Sequence, residues 1–162
     1  MNVSAWHHYG RFRPLWLGMM VCLSVLPFLG SRSPAPESVP SASPGNVEIV
    51  RTFTQAFNQR KTEALLSLVA ADVQWLNVSG NKTEVEVDGK PALEKWVRGY
   101  FKSCPSCRSE LTSLMAAGTH VTVYERARWE AKSGPQSQTS LGVYEVRAGL
   151  IRRVWYFPAE KE

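Results

Sequence analysis

Hydrophobic and polar residues alternate through the last third of the chain in four segments separated by turn residues. The segments are 110–117, 120–131, 136–147 and 150–157. The breaks between them contain Gly118, Gly134 and Gly149. Alternation with a period of two is typical of strands that bury one face, and glycine favours the turns that join such strands. The pattern therefore predicts an antiparallel meander of four strands.

Helical periodicity precedes the meander. Val47, Val50, Phe53 and Phe57 recur at the spacing of one helix face, which predicts a helix over 47–58. A second helix is predicted over 64–72. A third helix begins at Lys90-Pro91, where proline is tolerated in the first turn. Its apolar stripe consists of Ala92, Leu93, Trp96, Val97, Tyr100 and Phe101.

Two short strands are predicted between the second and third helices, over 73–80 and 83–90. The acidic residues of the later strand, Glu84, Glu86 and Asp88, share one exposed face if the alternation is regular. The element order is then helix, helix, strand, strand, helix and four strands. Separated runs of this kind indicate an α+β fold in which helices cover one side of an antiparallel sheet.

The N-terminal region has the composition of a targeting segment followed by a linker. Arg11 and Arg13 precede a short apolar run, and a Pro- and Ser-rich stretch follows it. The run is shorter than the roughly twenty residues of a membrane-spanning helix. We predict a signal peptide or uncleaved anchor over 1–31, a flexible linker over 32–45 and one folded domain over 46–162. The domain is then exported, periplasmic or secreted, and meets a membrane only through an uncleaved N-terminal segment.

Charge and histidine content exclude several classes of function. Three of the 19 Lys and Arg residues lie in or next to the leader, so 16 remain against 14 acidic residues, a net charge of +2. That charge is too small for a nucleic-acid-binding surface. His120 is the only histidine of the predicted domain. A metal site of several histidines therefore has almost no residues to draw on, and neither a metal nor a cofactor is expected.

Two cysteines lie in the predicted domain, Cys104 and Cys107, in the motif CPSC. In an exported chain such a pair predicts a local disulfide. A redox-active pair requires the motif at a helix N-terminus, where the thiolate is stabilised, whereas this motif follows a predicted helix. Free or metal-bound thiols are the remaining alternative.

Three segments carry a family resemblance: FNQRKTEALLSLVAADVQW, DGKPALEKWVRGYF and LGVYEVRAGLIRRVWYF. Through them the chain resembles, over 47–157, the superfamily of nuclear transport factor 2. Within it the similarity is to the SnoaL-like polyketide cyclases, the ketosteroid isomerases and the limonene epoxide hydrolases. The resemblance implies an α+β cone, a curved and mostly antiparallel sheet with three helices packed on one face. Because such folds host many activities, the fold alone does not give the function.

The catalytic positions of the ketosteroid isomerases are not matched. Those enzymes use a carboxylate base together with a tyrosine and a protonated aspartic acid. The resemblance places Phe53 at the tyrosine, Asn77 at the base and Val143 near the aspartic acid. None of the three supplies the required group.

The limonene epoxide hydrolases are matched only in part. Their Asp–Arg–Asp triad is assisted by a Tyr and an Asn. Here Asn77 and Arg126 match, while Trp75 stands at the tyrosine and Arg128 and Trp155 stand at the two aspartates. Activation of water needs a carboxylate within hydrogen-bond reach, and this lineup supplies none. Whether the chain is an enzyme therefore stays open.

The same lineup predicts the lining of a small-molecule pocket. Its members are Phe53, Trp75, Asn77, Arg126, Arg128, Tyr144 and Trp155. Aromatic walls with a few polar groups are typical of ligand sites. Two arginines on one strand face could bind a carboxylate or sulfonate, so a small apolar or anionic ligand is expected.

Simple alternation gives the opposite orientation for the arginines. Segment 120–131 has Val121 and Val123 on its apolar face, whereas Arg126 and Arg128 lie on the polar one. Half-buried patterning places such arginines in solvent or at a subunit contact. A partner subunit on the second sheet face would reconcile the two interpretations, so a homodimer is expected.

Three functions remain open. The first is a binding domain without an identifiable reaction, in a cavity whose acid–base groups are replaced by aromatic, amide and guanidinium groups. The second is an isomerase, cyclase or epoxide hydrolase with relocated catalytic groups, for which Glu125, Glu145 and His120 are the candidates. The third is a non-catalytic interaction domain that dimerises through its sheet.

Overall fold

The computed structural model describes residues 44–161, so the predicted signal peptide and nearly all of the predicted linker lie outside the described residues. The helices are α1 (Pro44–Asn58), α2 (Thr62–Ser67) and α3 (Lys90–Ser103). The strands are β1 (Val69–Ser79), β2 (Lys82–Asp88), β3 (Arg108–Ala117), β4 (His120–Ala131), β5 (Gly134–Arg147), β6 (Leu150–Tyr156) and β7 (Glu160–Lys161). No helix in this part of the chain is long and apolar enough to cross a membrane.

All seven strands belong to one curved sheet. Its order is β2-β1-β6-β5-β4-β3, and the short β7 pairs with β5. β1 runs parallel to β6, whereas every other neighbouring pair is antiparallel. The predicted α+β class and the four-stranded meander, which is β3 to β6, are therefore confirmed. No sequence pattern predicts β7.

The helices and one face of the sheet enclose the hydrophobic core, and we call this the inner face. Buried residues of the helices include Val50, Phe53, Leu93 and Val97. The strands contribute Val73, Val121, Val123, Tyr144, Val146 and Val154 to the same cluster. The opposite surface, formed by the alternate residues of each strand, is the outer face.

Three β-bulges interrupt the ladders and bend the strands that carry them. Their extra residues are Glu86 in β2, Thr112 in β3 and Arg152 in β6. Because of the first bulge, the prediction that Glu84, Glu86 and Asp88 share one face of β2 is wrong. Glu84 pairs with Asn77 while Asp88 pairs with Gln74, and those two partners lie on opposite faces of β1.

α2 ends earlier than the periodicity predicts. The helix was expected to continue to residue 72, but it ends at Ser67, and Val69 already belongs to β1. The amide of Ile151 donates to the carbonyl of Leu68 at 2.9 Å, and Val69 pairs with Ile151. Pairing with β6 therefore replaces the last helical turn, because tertiary contacts outweigh local propensity.

Gly142 on β5 permits a close approach between strands. A β-carbon added there would lie 3.1 Å from Cγ2 of Val123 and 3.3 Å from Cζ of Tyr156. We expect Gly142→Ala to lower the free energy of unfolding by roughly 1–3 kcal/mol, measured by urea denaturation, because the core is overpacked. Gly99→Ala in α3 is the matched control. No atom lies within 4 Å of its added β-carbon, so about 0.5–1 kcal/mol of stabilisation is expected from helix propensity. Equal effects of the two changes would contradict this packing account.

Candidate functional site

The inner face carries a carboxyl group, that of Glu125 on β4. Val121 and Val123 precede it on the same face and are fully buried. Because side chains two residues apart share a strand face, Glu125 points to the side covered by the helices. It is itself half-buried, opposite Leu111 and Ser140. The expectation of an interior without a carboxyl group is therefore wrong.

Hydroxyl groups from two other strands hold this carboxyl. Ser109 Oγ on β3 donates to Glu125 Oε1 at 2.5 Å, and the Tyr156 hydroxyl on β6 donates to Oε2. The Tyr156 and Tyr144 hydroxyls lie 2.9 Å apart. Two phenols and one carboxyl thus form a continuous hydrogen-bonded chain across β4, β5 and β6.

Burial shifts the proton affinity of every group in this chain. Desolvation raises the pKa of Glu125, and the hydrogen bonds from Ser109 and Tyr156 offset part of that rise. Desolvation also raises the pKa of Tyr144 and of Tyr156, and the charge of Glu125 adds to both shifts. The carboxyl therefore keeps its proton to a higher pH than an ordinary glutamate, while both phenols stay neutral.

The side chain of Asn58, at the end of α1, fixes the position of Ser109. Its Nδ2 donates to the Ser109 carbonyl at 2.7 Å, and its Oδ1 accepts from the Ser109 amide at 2.8 Å. These two bonds tie the helix to the first residues of β3. Ser109 is thereby held where its hydroxyl meets Glu125.

A disulfide and an arginine brace the entry to β3. Cys104 and Cys107 are bonded, which confirms the predicted local disulfide. Nη2 of Arg60 donates to three carbonyl oxygens of this loop, those of Cys104 at 3.2 Å, Pro105 at 2.9 Å and Cys107 at 2.6 Å. The loop ends two residues before Ser109, so the brace also constrains the site.

A row of four aromatic rings lines the inner face beside this chain. Tyr156 and Trp75 stack with centroids 5.3 Å apart and planes within 9°. Trp96 of α3 follows at 6.0 Å from Trp75, and Tyr100 at 5.3 Å from Trp96. All four residues are half-buried, so solvent reaches part of the row. We call these residues the aromatic row.

Glu86, the extra residue of the β2 bulge, holds the edge of the row. It accepts from Trp96 Nε1 at 3.0 Å and from Asn77 Nδ2 at 2.7 Å. The other amide atom of Asn77, Oδ1, is buried and has no hydrogen-bond partner within the described residues. The bulge therefore aims an exposed acid at two inner-face side chains.

The residues predicted to line a pocket divide between the two faces. Phe53, Trp75 and Tyr144 pack together on the inner face, with centroids 6.2–6.3 Å apart, and Asn77 shares that face. Their contact with a ligand stays a prediction.

Arg126, Arg128 and Trp155 lie on the outer face instead. Arg128 is 58% exposed and pairs with Glu110 at 2.9 Å. Trp155 pairs in register with Val143 and lies 6.2 Å from the ring of His120. The alternation of β4 and β6 decides these positions, so the predicted arginine grip does not lie with the inner-face residues.

The three acid–base candidates also separate. Glu145 and His120 pair in register on the outer face. Glu145 is 3% exposed and bonds to Arg147 at 2.5 Å and Arg153 at 3.4 Å, while His120 is exposed. Of the three, Glu125 alone lies on the inner face.

Four residues of the site were missed by sequence reasoning: Ser109, Trp96, Tyr100 and Tyr156. The helical pattern predicts Trp96 and Tyr100 as core residues, whereas both are half-buried members of the aromatic row. The spacing of Tyr156 from Val154 gave the signal that it faces inward. In the part of the chain that the structure covers, no three His, Cys, Asp or Glu side chains are grouped to hold a metal ion.

The family profile of the SnoaL-like domain matches residues 50–154, which is most of the folded chain. The chain belongs to the SnoaL-like family. The resemblance to the superfamily of nuclear transport factor 2 is thereby confirmed. No curated protein matches the sequence.

Solved structures share the fold at low sequence identity. A protein of Kribbella flavida proposed to be a ketosteroid isomerase has 20% identity and a TM-score of 0.57, covering 70% of this chain and 76% of its own. An uncharacterised cystatin-fold protein of Novosphingobium aromaticivorans has 20% identity and a TM-score of 0.61, covering 68% and 96%. A protein of Xanthomonas campestris proposed to be a polyketide cyclase has 20% identity and a TM-score of 0.54, covering 70% and 89%. At this identity they show the fold of the SnoaL-like domain and nothing of its substrate.

The raised pKa of Glu125 makes stability depend on pH in a defined direction. The folded SnoaL-like domain binds this proton more tightly than the unfolded chain, so stability falls as pH rises from the usual glutamate range through the raised pKa. We expect Glu125→Gln to raise Tm relative to the unchanged protein at pH 8, with the gain disappearing towards pH 4. Thermal unfolding followed by circular dichroism measures this. Glu110→Gln, at an exposed site, is the control, and a gain that is equal at both pH values would contradict burial as the cause.

Proposed function

We propose that the inner face of this SnoaL-like domain binds a small, mostly apolar molecule and that Glu125 exchanges protons with it. One observation carries the proposal: a half-buried carboxyl, hydrogen-bonded by the hydroxyls of Ser109 and Tyr156, lies beside the aromatic row. Aromatic walls with few polar groups suit a small apolar ligand. A carboxyl whose pKa is raised by burial suits a general acid or base.

The supported chemistry is proton transfer at carbon. In its ionised form Glu125 would take a proton from a carbon next to a carbonyl group, and in its protonated form it would return the proton to another carbon. Tyr156 would donate a hydrogen bond to the substrate oxygen or to the carboxylate. Such a transfer moves no electrons to or from an outside acceptor, and it is shared by isomerisation and ring closure.

A binding domain without turnover is the second candidate. The aromatic row supports binding whether or not Glu125 reacts. The anionic ligand expected from Arg126 and Arg128 loses its support, because both lie on the outer face. A mostly apolar molecule is the form of the binding hypothesis that remains.

Turnover distinguishes these two candidates. A panel of cyclic enones and epoxides should contain a substrate for which Glu125→Gln lowers kcat/KM by at least about a hundredfold, the usual size of a general acid–base contribution. Arg128→Ala, at an exposed ion pair on the outer face, should leave the rate unchanged. Full activity of Glu125→Gln would remove the acid–base role. Binding of panel members without turnover by any variant would leave the binding domain.

We also propose that the outer face joins two copies of the chain. An apolar band crosses six strands in continuous register: Met115, Thr122, Val143, Trp155, Leu76 and Val85. Its two ends are open, with Met115 68% and Val85 52% exposed. Beside it runs a polar row of alternating charge that includes Glu145, Arg153 and Asp88. An apolar band flanked by charged groups suits a twofold interface, in which the same surface of each chain meets its copy.

Sedimentation velocity tests the dimer. The unchanged protein should sediment as two chains, and Met115→Glu combined with Val85→Glu should give single chains, because the change places charges in the apolar band. Lys95→Glu, at an exposed site on α3, is the control and should not change the mass. A monomeric unchanged protein, or a dimer that persists in the double variant, would contradict this interface.

Export is proposed as well. The N-terminal pattern and the Cys104–Cys107 disulfide support it, because disulfides persist in oxidising compartments. If Cys104 and Cys107 are reduced thiols and the protein remains in the cytosol of its own cells, export is contradicted.

A further inference from the structure

The inner face is acidic, although the sequence lineup expected it to be basic. The carboxyl that a sheet strand places on this face beside the aromatic row is that of Glu125, and among the described residues it is bonded by the hydroxyls of Ser109 and Tyr156. Neutral hydroxyls stabilise a carboxylate without cancelling its charge. When ionised, this carboxyl therefore leaves a negative charge facing the row.

Two basic residues at the edge of the site, Arg60 and Arg108, donate their hydrogen bonds to backbone carbonyls. Arg60 donates to the carbonyls of the disulfide loop, and its guanidinium lies 4.5 Å from the centre of the Phe101 ring. Nη1 of Arg108 donates to the carbonyls of Pro105 and Cys107. Among the described residues, the groups that hydrogen-bond to the Glu125 carboxyl are uncharged.

A second hydrogen-bond acceptor on the inner face, Oδ1 of Asn77, has no donor among the described residues. Asn77 Nδ2 donates to a carboxylate oxygen of Glu86, and a carboxylate cannot donate in return, so the orientation of the amide is fixed. Its Oδ1 is left buried without a partner within the described residues. Asn77 pairs in register with Tyr156, at one end of the aromatic row. The inner face thus offers hydrogen-bond acceptors to a ligand that carries hydrogen-bond donors.

Aromatic ring faces, like the carboxylate of Glu125, attract a positive charge. The faces of Trp and Tyr rings attract cations, and the attraction grows when water is excluded. The aromatic row contributes two of each, all half-buried and within contact of one another. The rings stack on one another, so an ammonium group would meet only the parts of the faces that stacking leaves uncovered, together with the Glu125 carboxylate at the Tyr156 end of the row.

We propose that the inner face takes a small protonated amine, with its ammonium group against Glu125 and its apolar part along the aromatic row. This inference rests on the proposed function in one respect, that the inner face is a binding site. To that site it adds the inference that the ligand carries a positive charge. The chemistry favours an amine over a neutral molecule of the same shape and disfavours a carboxylate.

Three probes of nearly one shape and different charge test the proposal: benzylamine, benzyl alcohol and benzoate. In isothermal titration of the full chain at pH 8, benzylamine should bind about tenfold or more tightly than benzyl alcohol, the scale of one charge-assisted hydrogen bond. Benzoate should bind most weakly. Glu125→Gln should abolish the preference for the amine, so that benzylamine and benzyl alcohol bind within about twofold of each other, well below one such bond.

A pH series keeps the test decisive if that variant fails to fold. Benzylamine affinity should fall as the pH is lowered through the raised pKa of Glu125, whereas benzyl alcohol affinity should not change. The other titratable groups facing Glu125 are Tyr144, Tyr156 and Tyr100, whose pKa values are raised above the ordinary tyrosine value, so they stay neutral throughout. Arg60 lies near Tyr100 and stays charged over this range, because a guanidinium group is protonated far above pH 8.

The outcomes separate this inference from the proposed function. Alcohol binding that equals or exceeds amine binding, or tighter binding of benzoate, would overturn the amine and leave a ligand site on the inner face. Absence of binding by all three probes would overturn the amine as well. Absence of turnover across the enone and epoxide panel would, in addition, remove the catalytic role.

Discussion

A carboxyl group on the covered face of a strand must find hydrogen-bond donors or give up its charge, and the site of this SnoaL-like domain is organised around that constraint. Glu125 obtains donors from Ser109 and Tyr156 and still has a raised pKa. Each donor needs its own support. Asn58 fixes the backbone of Ser109, and the absence of a side chain at Gly142 lets the Tyr156 ring cross β5.

The two faces of the sheet carry different side chains because successive residues of a strand point to opposite faces. The inner face carries the carboxyl, the phenols and the aromatic row. The outer face carries ion pairs, such as Arg128 with Glu110, next to an apolar band. A ligand site and a subunit interface can therefore occupy the same strands without sharing side chains. This separation explains how one sheet could support both proposed functions.

The scaffold is shared with proteins proposed to be isomerases and cyclases, but the reactive groups are not fixed by the scaffold. Family positions that should bear a tyrosine and two carboxyls carry Phe53, Asn77 and Val143 here. The carboxyl lies instead on β4, at Glu125. The inner face of such a sheet offers many equivalent positions, so a catalytic or ligand-binding group can occupy a different strand while the core remains packed.

Local sequence patterns predict the class of fold, the meander, the Pro91 helix start and the Cys104–Cys107 disulfide, because each depends on periodicity or on residues close along the chain. Counting from Val121 and Val123 also puts Glu125 on the covered face. The hydroxyls that reach this carboxyl depend on how the strands assemble, since Ser109 and Tyr156 lie 16 and 31 residues away from Glu125 in the chain. That assembly also decides where the bulges fall and where α2 gives way to β1. Both depend on pairing between distant segments, which no local pattern encodes.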